Sequence, residues 1–375
     1  MLSQGKRLVK SVLIALNALV SVSLVGAAFA HSINPETWIV PAFLGLAFLP
    51  LLLLNALFLC FWLITRFKFG LISLAGILLS WGMINTHFNF SGNSTDQESD
   101  FSLISFNVRL FDLYNWRGNE STRNELLDFF QEKNADVLCL QEFFNSNDKS
   151  YFNTLDTLLE VQSATQVHTA YSAILHQGMS KFGIGTLSAY DIIDRGQISL
   201  DSSLHNLAIY TDIRFDSTIV RVYNLHLASV HITAMEKDIE EHITSNNSDE
   251  QLNDIKRIQG RLSSGFRRRA SQAIAIKQHM NDSPYPIIAC GDFNDTPSSF
   301  AYHHLAEGLT DCFNEMEFGV GSTYLGLIPG LRIDFILCSA DIKVSTFETL
   351  DVELSDHRPV TIRFSINKQA NSANS

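Results

Sequence analysis

The chain has 375 residues, 46% of them apolar, with 27 basic against 39 acidic side chains and a formal charge of −12, enough length for a sizeable domain plus an appended segment. Residues 1–90 hold five basic residues (Lys6, Arg7, Lys10, Arg66, Lys68) and a single acidic one, Glu36, so the remainder is more acidic than the whole. A field of that sign argues against a broad basic surface for long polyanions, which are bound through clustered Lys and Arg.

Three apolar stretches come first, at about residues 8–30, 38–64 and 69–84. The first two exceed the roughly 20 residues that cross a bilayer; the third is shorter. Trp38, Trp62 and Trp81 stand near segment ends, where interfacial rings belong. Residues 1–90 are therefore expected to be a transmembrane region. Lys6, Arg7 and Lys10 before the first span, and Arg66 and Lys68 after the second, place the amino terminus inside and everything beyond the third span outside, on an extracytoplasmic face such as the periplasmic side of a bacterial inner membrane. Ala28-Phe29-Ala30 offers a rival reading as a signal-peptidase site, which leaves the carboxy-terminal part on the same side. A buried helical hairpin in a soluble protein is the other alternative.

Residues 91–100 read as a polar linker, 101–367 as a catalytic domain and 368–375 as a disordered tail. Strands are expected at Phe101–Val108, Ala135–Leu140, Gly183–Leu187, Leu207–Arg214, Thr218–Leu225, Pro286–Cys290, Arg332–Cys338 and Val360–Ile366. Helices are expected at Thr122–Lys133, with Thr122 capping and Glu125 reaching back, and at Phe266–Met280. Val230–Ser264 is polar and reads as a helical and loop insertion. Many strands with few interspersed helices indicate an α/β domain of stacked sheets. Five cysteines without paired spacing read as free thiols rather than a disulfide or zinc framework.

Polar side chains recur where apolar strands end: Asn107, Gln141-Glu142, Asn224 and His226, Asp292 and Asn294, Asp334, and Asp356-His357. Each alone has a structural explanation, such as an Asx turn for Asp292 and Asn294 or a satisfied histidine for His226. Together they match a hard cation such as magnesium, which takes carboxylate and amide oxygens. An aspartate-oriented histidine is a usual way to hold a proton-transfer group.

In order, Ser105-Phe106-Asn107, Leu140-Gln141-Glu142, Asn224-Leu225-His226-Leu227, Gly291-Asp292-Phe293-Asn294, Arg332-Ile333-Asp334-Phe335 and Ser355-Asp356-His357 resemble the endonuclease/exonuclease/phosphatase superfamily from about Phe101 to Ile366. The resemblance implies a four-layered α/β/β/α sandwich and hydrolysis of a phosphate ester with Mg2+, or Mn2+, as cofactor. It implies Glu142 as main metal ligand beside Asn107, with Asp356 contributing to the metal or to water positioning. Asp292 would orient or deprotonate water, Asn294 would hold a phosphoryl oxygen, and His357, oriented by Asp334, would stabilise or protonate the phosphoryl group. His226 and Asn224 complete the expected substrate contacts. A lipid or small-molecule phosphodiester suits the acidic, membrane-tethered domain; extracellular nucleic acid comes second, a lipid or sugar phosphomonoester third, and a scaffold without chemistry is the rival from another class.

Three motifs read as bland. Ser355-Asp356-His357 is no serine-hydrolase relay, because neighbours in an extended chain face opposite ways. Arg267-Arg268-Arg269 reads as a solvated helix face and His303-His304 as a helix surface. Gly321-Ser322-Thr323-Tyr324, ahead of Asp334, is a candidate pocket wall.

Overall fold

The computed structural model describes residues 2–92, 99–119, 121–148, 151–200, 206–229, 248–326 and 330–367. The tail 368–375, part of the linker and residues 230–247 of the polar insertion lie outside them.

The amino-terminal part is helical: Leu2–Ala28, Val40–Leu46, Phe48–Thr65, Phe67–Leu79 and Trp81–His87. Gly5–Ala28 and Phe48–Thr65 are each long and apolar enough to cross a membrane, and the last two helices, bent by 60° at their junction, make a third span if taken together. The second expected stretch is thus broken near Ala47 and the third is bent. Polar contacts join these helices beside a buried apolar cluster of Leu24, Ala27, Ala28, Phe48, Met83 and Ile84. Asn17 donates to Phe69 O at 3.0 Å and accepts from Ser73 Oγ at 2.5 Å, while Asn55 accepts from Ser21 Oγ at 2.7 Å. All four side chains are buried. In an apolar surround such bonds and close small-residue contacts hold helices together without a hydrophobic drive.

Two six-stranded mixed sheets follow. Strands β1 (Phe101–Asn107), β2 (Val137–Ser146), β3 (Gln166–Leu175), β4 (Ser180–Ser188), β11 (Ile342–Thr349) and β12 (Val360–Ile366) form one sheet in the order β11-β12-β1-β2-β4-β3. The other, in the order β5-β6-β7-β8-β10-β9, is built from β5 (Ile192–Gln197), β6 (Leu207–Phe215), β7 (Thr218–His226), β8 (Ile287–Asp292), β9 (Thr310–Asp311) and β10 (Asp334–Cys338). Successive strand residues face opposite ways, and that alternation builds the layers. Leu103, Val137, Cys139, Val222, Ile288 and Ile336 pack between the sheets. Ile104, Phe106, Leu138 and Leu140 face outward against Leu126 and Phe130 of the helix Thr122–Lys133. On the opposite flank Tyr223, Leu225, Ala289 and Leu337 meet Ala273 and Ile276 of the helix Ser248–Asn281. The result is the four-layered α/β/β/α sandwich.

Several boundaries differ from expectation. The Ser248–Asn281 helix begins well before Phe266. The cap of Thr122–Lys133 is Ser121, whose hydroxyl bonds Glu125, and Thr122 donates to Asn119 O at 2.8 Å. The helix run of arginines is not one solvated face: Arg267 and Arg268 are exposed, but Arg269 is buried and pairs with Asp295 at 2.8 Å. His303 is not a plain surface histidine either, since it stacks on His31 with ring centroids 3.9 Å apart. That stack belongs to a docking seam between the apolar helices and the sandwich. There His87 Nε2 lies 2.7 Å from Ser298 Oγ, and Arg332 donates to Thr86 O at 2.8 Å.

Candidate active site

The parallel pairs β1/β2 and β7/β8 bring four strand ends to one edge of the sandwich. Register does most of the placing. In β8, Asp292 sits opposite His226 of β7 on one side and Asp334 of antiparallel β10 on the other. Gly291 makes the approach possible: at φ +136° a Cβ there would lie 2.0 Å from Leu225 O. Glu142 reaches the same edge from β2 through a bulge, where the pairing with β4 shifts between Leu140 and Phe143 and Glu142 adopts φ +49°. A bulge re-aims a side chain in this way.

Asp292 is the hub. Its Oδ2 accepts from Asn107 Nδ2 and Asn294 Nδ2, both at 3.0 Å, and its Oδ1 accepts from the Asn294 backbone N–H at 2.8 Å. His226 Nε2 lies 3.7 Å and His357 Nε2 3.9 Å from the same Oδ2. His226 Nε2 is also 3.8 Å from Glu142 Oε1. His357 Nδ1 is 2.9 Å from Asp334 Oδ2, the bond that fixes the ring. The Asp334 and Ile333 backbone N–H groups donate to Thr323 Oγ1 at 3.1 and 3.0 Å, and Tyr324 sets its ring edge-on to His357 at 5.5 Å. The Gly321–Tyr324 segment thus borders the site.

Charge follows burial. Burial pushes the Asp292 carboxyl up to about 6, reinforced by Asp334 and opposed by His357, His226 and the Asn294 N–H. Burial alone would lower His357; Asp334 and Asp292 reverse that and hold it well above the usual histidine range. The Glu142 carboxyl is raised, first by burial and then by the like charge of Asp356, with His357 and Asn107 pulling the other way.

A divalent cation fits one part of this set. Glu142, Asp356 and Asn107 offer only oxygen donors, suited to a hard ion, and a positive charge there relieves the repulsion between the two carboxylates. Asp292, Asp334 and His357 also place one ligand atom each within 4.8 Å of one another. In that trio His357 Nδ1 is engaged by Asp334, and its Nε2 lies 3.9 Å from Asp292 Oδ2.

Two expected substrate contacts are engaged elsewhere. Asn224 is fully buried, accepts from Gln141 Nε2 at 2.8 Å and donates to Gly185 O at 2.9 Å, so it ties the two sheets together behind the site. Asn294 spends its amide on Asp292 and on Leu227 O at 3.1 Å, which makes it first a support for Asp292. Asp356 is held by Arg109 at 3.2 Å, and Ser355 donates to Asn107 O at 2.8 Å rather than to a histidine. Arg269, from the Ser248–Asn281 helix, was hidden in its basic run. It pairs with Asp295 just after Asn294 and donates to Ala228 O just after His226, clasping the two loops together.

A two-sheet sandwich with this strand-end constellation defines a class, and the sequence agrees: the chain belongs to the Endonuclease/Exonuclease/phosphatase family, whose profile matches residues 104–357. A second profile, a domain of unknown function, matches residues 10–87. Human 2′,5′-phosphodiesterase 12 is 26% identical over 185 residues, 47% of this chain and 28% of that protein, and the bovine protein of the same name matches to the same extent. The chain therefore spans well under half the length of these curated relatives. Among solved structures, an endonuclease/exonuclease/phosphatase family protein from Bacteroides thetaiotaomicron superimposes with a TM-score of 0.53 at 14% identity, over 74% of this chain and 100% of that one. The human nocturnin catalytic domain with bound sulfate gives 0.51 at 17% identity, over 75% and 98%. At these identities the likeness is one of fold.

Proposed function

We propose that the chain is a membrane-anchored, divalent-metal-dependent phosphoesterase that hydrolyses a phosphodiester of lipid or small-molecule type by in-line attack of water. The observation that carries this is a chain of contacts under 4 Å, from Glu142 of β2 to His226 of β7, from His226 to Asp292 of β8, and from Asp292 to His357 ahead of β12. Family membership and the similarity to a phosphodiesterase over 185 residues support it.

The chain's own groups divide the work. Asp292, held by three hydrogen bonds and pushed up towards neutrality, accepts a proton from the attacking water. His357, kept protonated by Asp334 and Asp292, donates to the phosphoryl oxygens, and His226 Nε2 lies 3.7 Å from Asp292 Oδ2. Glu142, Asp356 and Asn107 would hold Mg2+ or Mn2+, which when bound supplies positive charge to the phosphoryl group. The apolar helices Gly5–Ala28 and Phe48–Thr65, with the bent pair after them, support anchoring, and the basic residues Lys6, Arg7, Lys10, Arg66 and Lys68 that flank the spans support residues 101–367 as a catalytic domain on the extracytoplasmic side.

The test is hydrolysis of a panel of phospholipid, nucleotide and oligonucleotide esters by the full chain in detergent, with Mg2+ or Mn2+ and with chelator. Chelator-sensitive turnover that is strongest on a lipid or small-molecule diester supports the proposal. Equal rates with chelator would overturn the metal dependence, and no turnover of any ester would leave a scaffold reading in its place.

A further inference from the structure

Between β1 and the helix Thr122–Lys133 the chain makes a loop that the reaction as described does not use. Four consecutive residues in it, Arg109, Leu110, Phe111 and Asp112, have φ between 43° and 56°. Left-handed backbone in non-glycine residues costs roughly 1–2 kcal/mol per residue, and it persists only where the surroundings enforce it. Here they do. Phe111 is buried in the outer core, the Arg109 N–H donates to Asn107 Oδ1 at 3.1 Å, and Asp112 Oδ1 accepts from the Trp116 N–H at 2.8 Å.

The outcome is a row of side chains leading outward from the site. Asp356 Oδ2 meets Arg109 Nε at 3.2 Å, the Arg109 guanidinium lies 4.6 Å from the Trp116 ring centroid, and Tyr114 stands edge-on to Trp116 at 5.0 Å. Trp116 is 44% and Tyr114 62% exposed. A cation flanking exposed rings suits a ligand that carries a phosphate and presents the face of a ring. These rings are separate from the aromatics next to the apolar helices, where Trp81 stacks with Phe90 and Phe318 adjoins Gly319, the bridge partner of Asn89. That second group suits the bilayer surface; the Tyr114 and Trp116 pair is wired to Asp356.

We infer that Arg109, Trp116 and Tyr114 form a specificity subsite that takes a ring-bearing substituent of the phosphate ester, a nucleoside or a sugar. This rests on the phosphoesterase reading and narrows its substrate class. Arg109 reaches the phosphate side, and the two rings receive the substituent.

The experiment measures inhibition of the full chain in detergent, with methyl p-nitrophenyl phosphate and Mn2+ as reporter, by thymidine 5′-phosphate, glucose 6-phosphate and methyl phosphate. Stacking on an aromatic side chain implies that Trp116→Ala weakens the ring-bearing inhibitor by about tenfold or more. Methyl phosphate should change less than twofold, and Trp116→Phe should restore the preference. Whether the nucleotide or the sugar phosphate suffers identifies the ring. Unchanged inhibition by both ring-bearing compounds overturns the subsite. So does an equal loss for all three, which would put the rings against the bilayer or the chain's own fold. If the wild-type chain does not turn over the reporter, the phosphoesterase reading falls and the subsite falls with it.

Discussion

Replacing Asp334 with Asn keeps the shape of the side chain that orients His357 and removes its charge. The bond at stake, Nδ1 to Oδ2 at 2.9 Å, is buried between two groups that are nearly inaccessible to solvent. Hydrogen bonds to charged partners contribute about 1.5–3 kcal/mol, and about 1.4 kcal/mol is tenfold in rate, so kcat should fall roughly 10- to 150-fold. The pH profile should move as well. Burial lowers His357, and Asp334 and Asp292 together overcome it. With Asp334 neutral, burial gains ground, the imidazolium loses its proton at lower pH, and the alkaline limb of activity shifts to lower pH. Steady-state turnover of a p-nitrophenyl diester from pH 5 to 10 reads both effects. A kcat within twofold of wild type with an unmoved alkaline limb would refute the Asp334–His357 assignment.

Three stability predictions follow from buried groups. Arg269→Met leaves Asp295 charged and unpaired in a site where both partners are almost fully buried, a loss of about 3–5 kcal/mol; it should show as a lowered unfolding temperature that Asp295→Leu on the same background partly restores. Gly291→Ala drives a Cβ into Leu225 O, so a destabilisation of order 3 kcal/mol or more is expected together with loss of activity; normal melting would mean β7 and β8 can separate there. Burial, helped by Arg195, depresses His168 to about 4. The unfolded chain binds that proton near pH 6.5, so this contribution is complete above pH 6.5 and is lost as pH falls towards 4, by on the order of 3 kcal/mol. His168→Gln should flatten the acid limb of a melting-temperature profile, and an unchanged limb would assign it to other groups.

The central strands were legible because they are continuous apolar runs ending in polar residues, as in Ile287-Ile288-Ala289-Cys290 before Gly291-Asp292. Edge strands were not. Ile192–Gln197 pairs on one side only and is mostly exposed, so its sequence is under no pressure to alternate, and Gln166–Leu175 is similarly half-covered. The polar positions of Glu142, His226, Asp292 and His357 beside apolar runs could be read from sequence, yet Glu142 lies inside Val137–Ser146 rather than at its end, and the distances depend on the bulge there and on sheet-to-sheet packing, which one strand's pattern does not encode. Asn224 shows the limit: its motif suggested ligand contact, while its partners on the opposite sheet give it a structural bond set. Arg269 and Arg109 were missed for a related reason. A basic residue in a charged run or a loop looks solvated until tertiary contacts show its carboxylate partner.

The most direct test is Mn2+ binding to the full chain in detergent, followed by the spin resonance of the free ion. One tight ion per chain is expected in the wild type and in His357→Ala, and none in Glu142→Ala. An ion retained by Glu142→Ala and lost by His357→Ala would move the metal to Asp292, Asp334 and His357 and contradict the division between metal-holding and proton-handling groups.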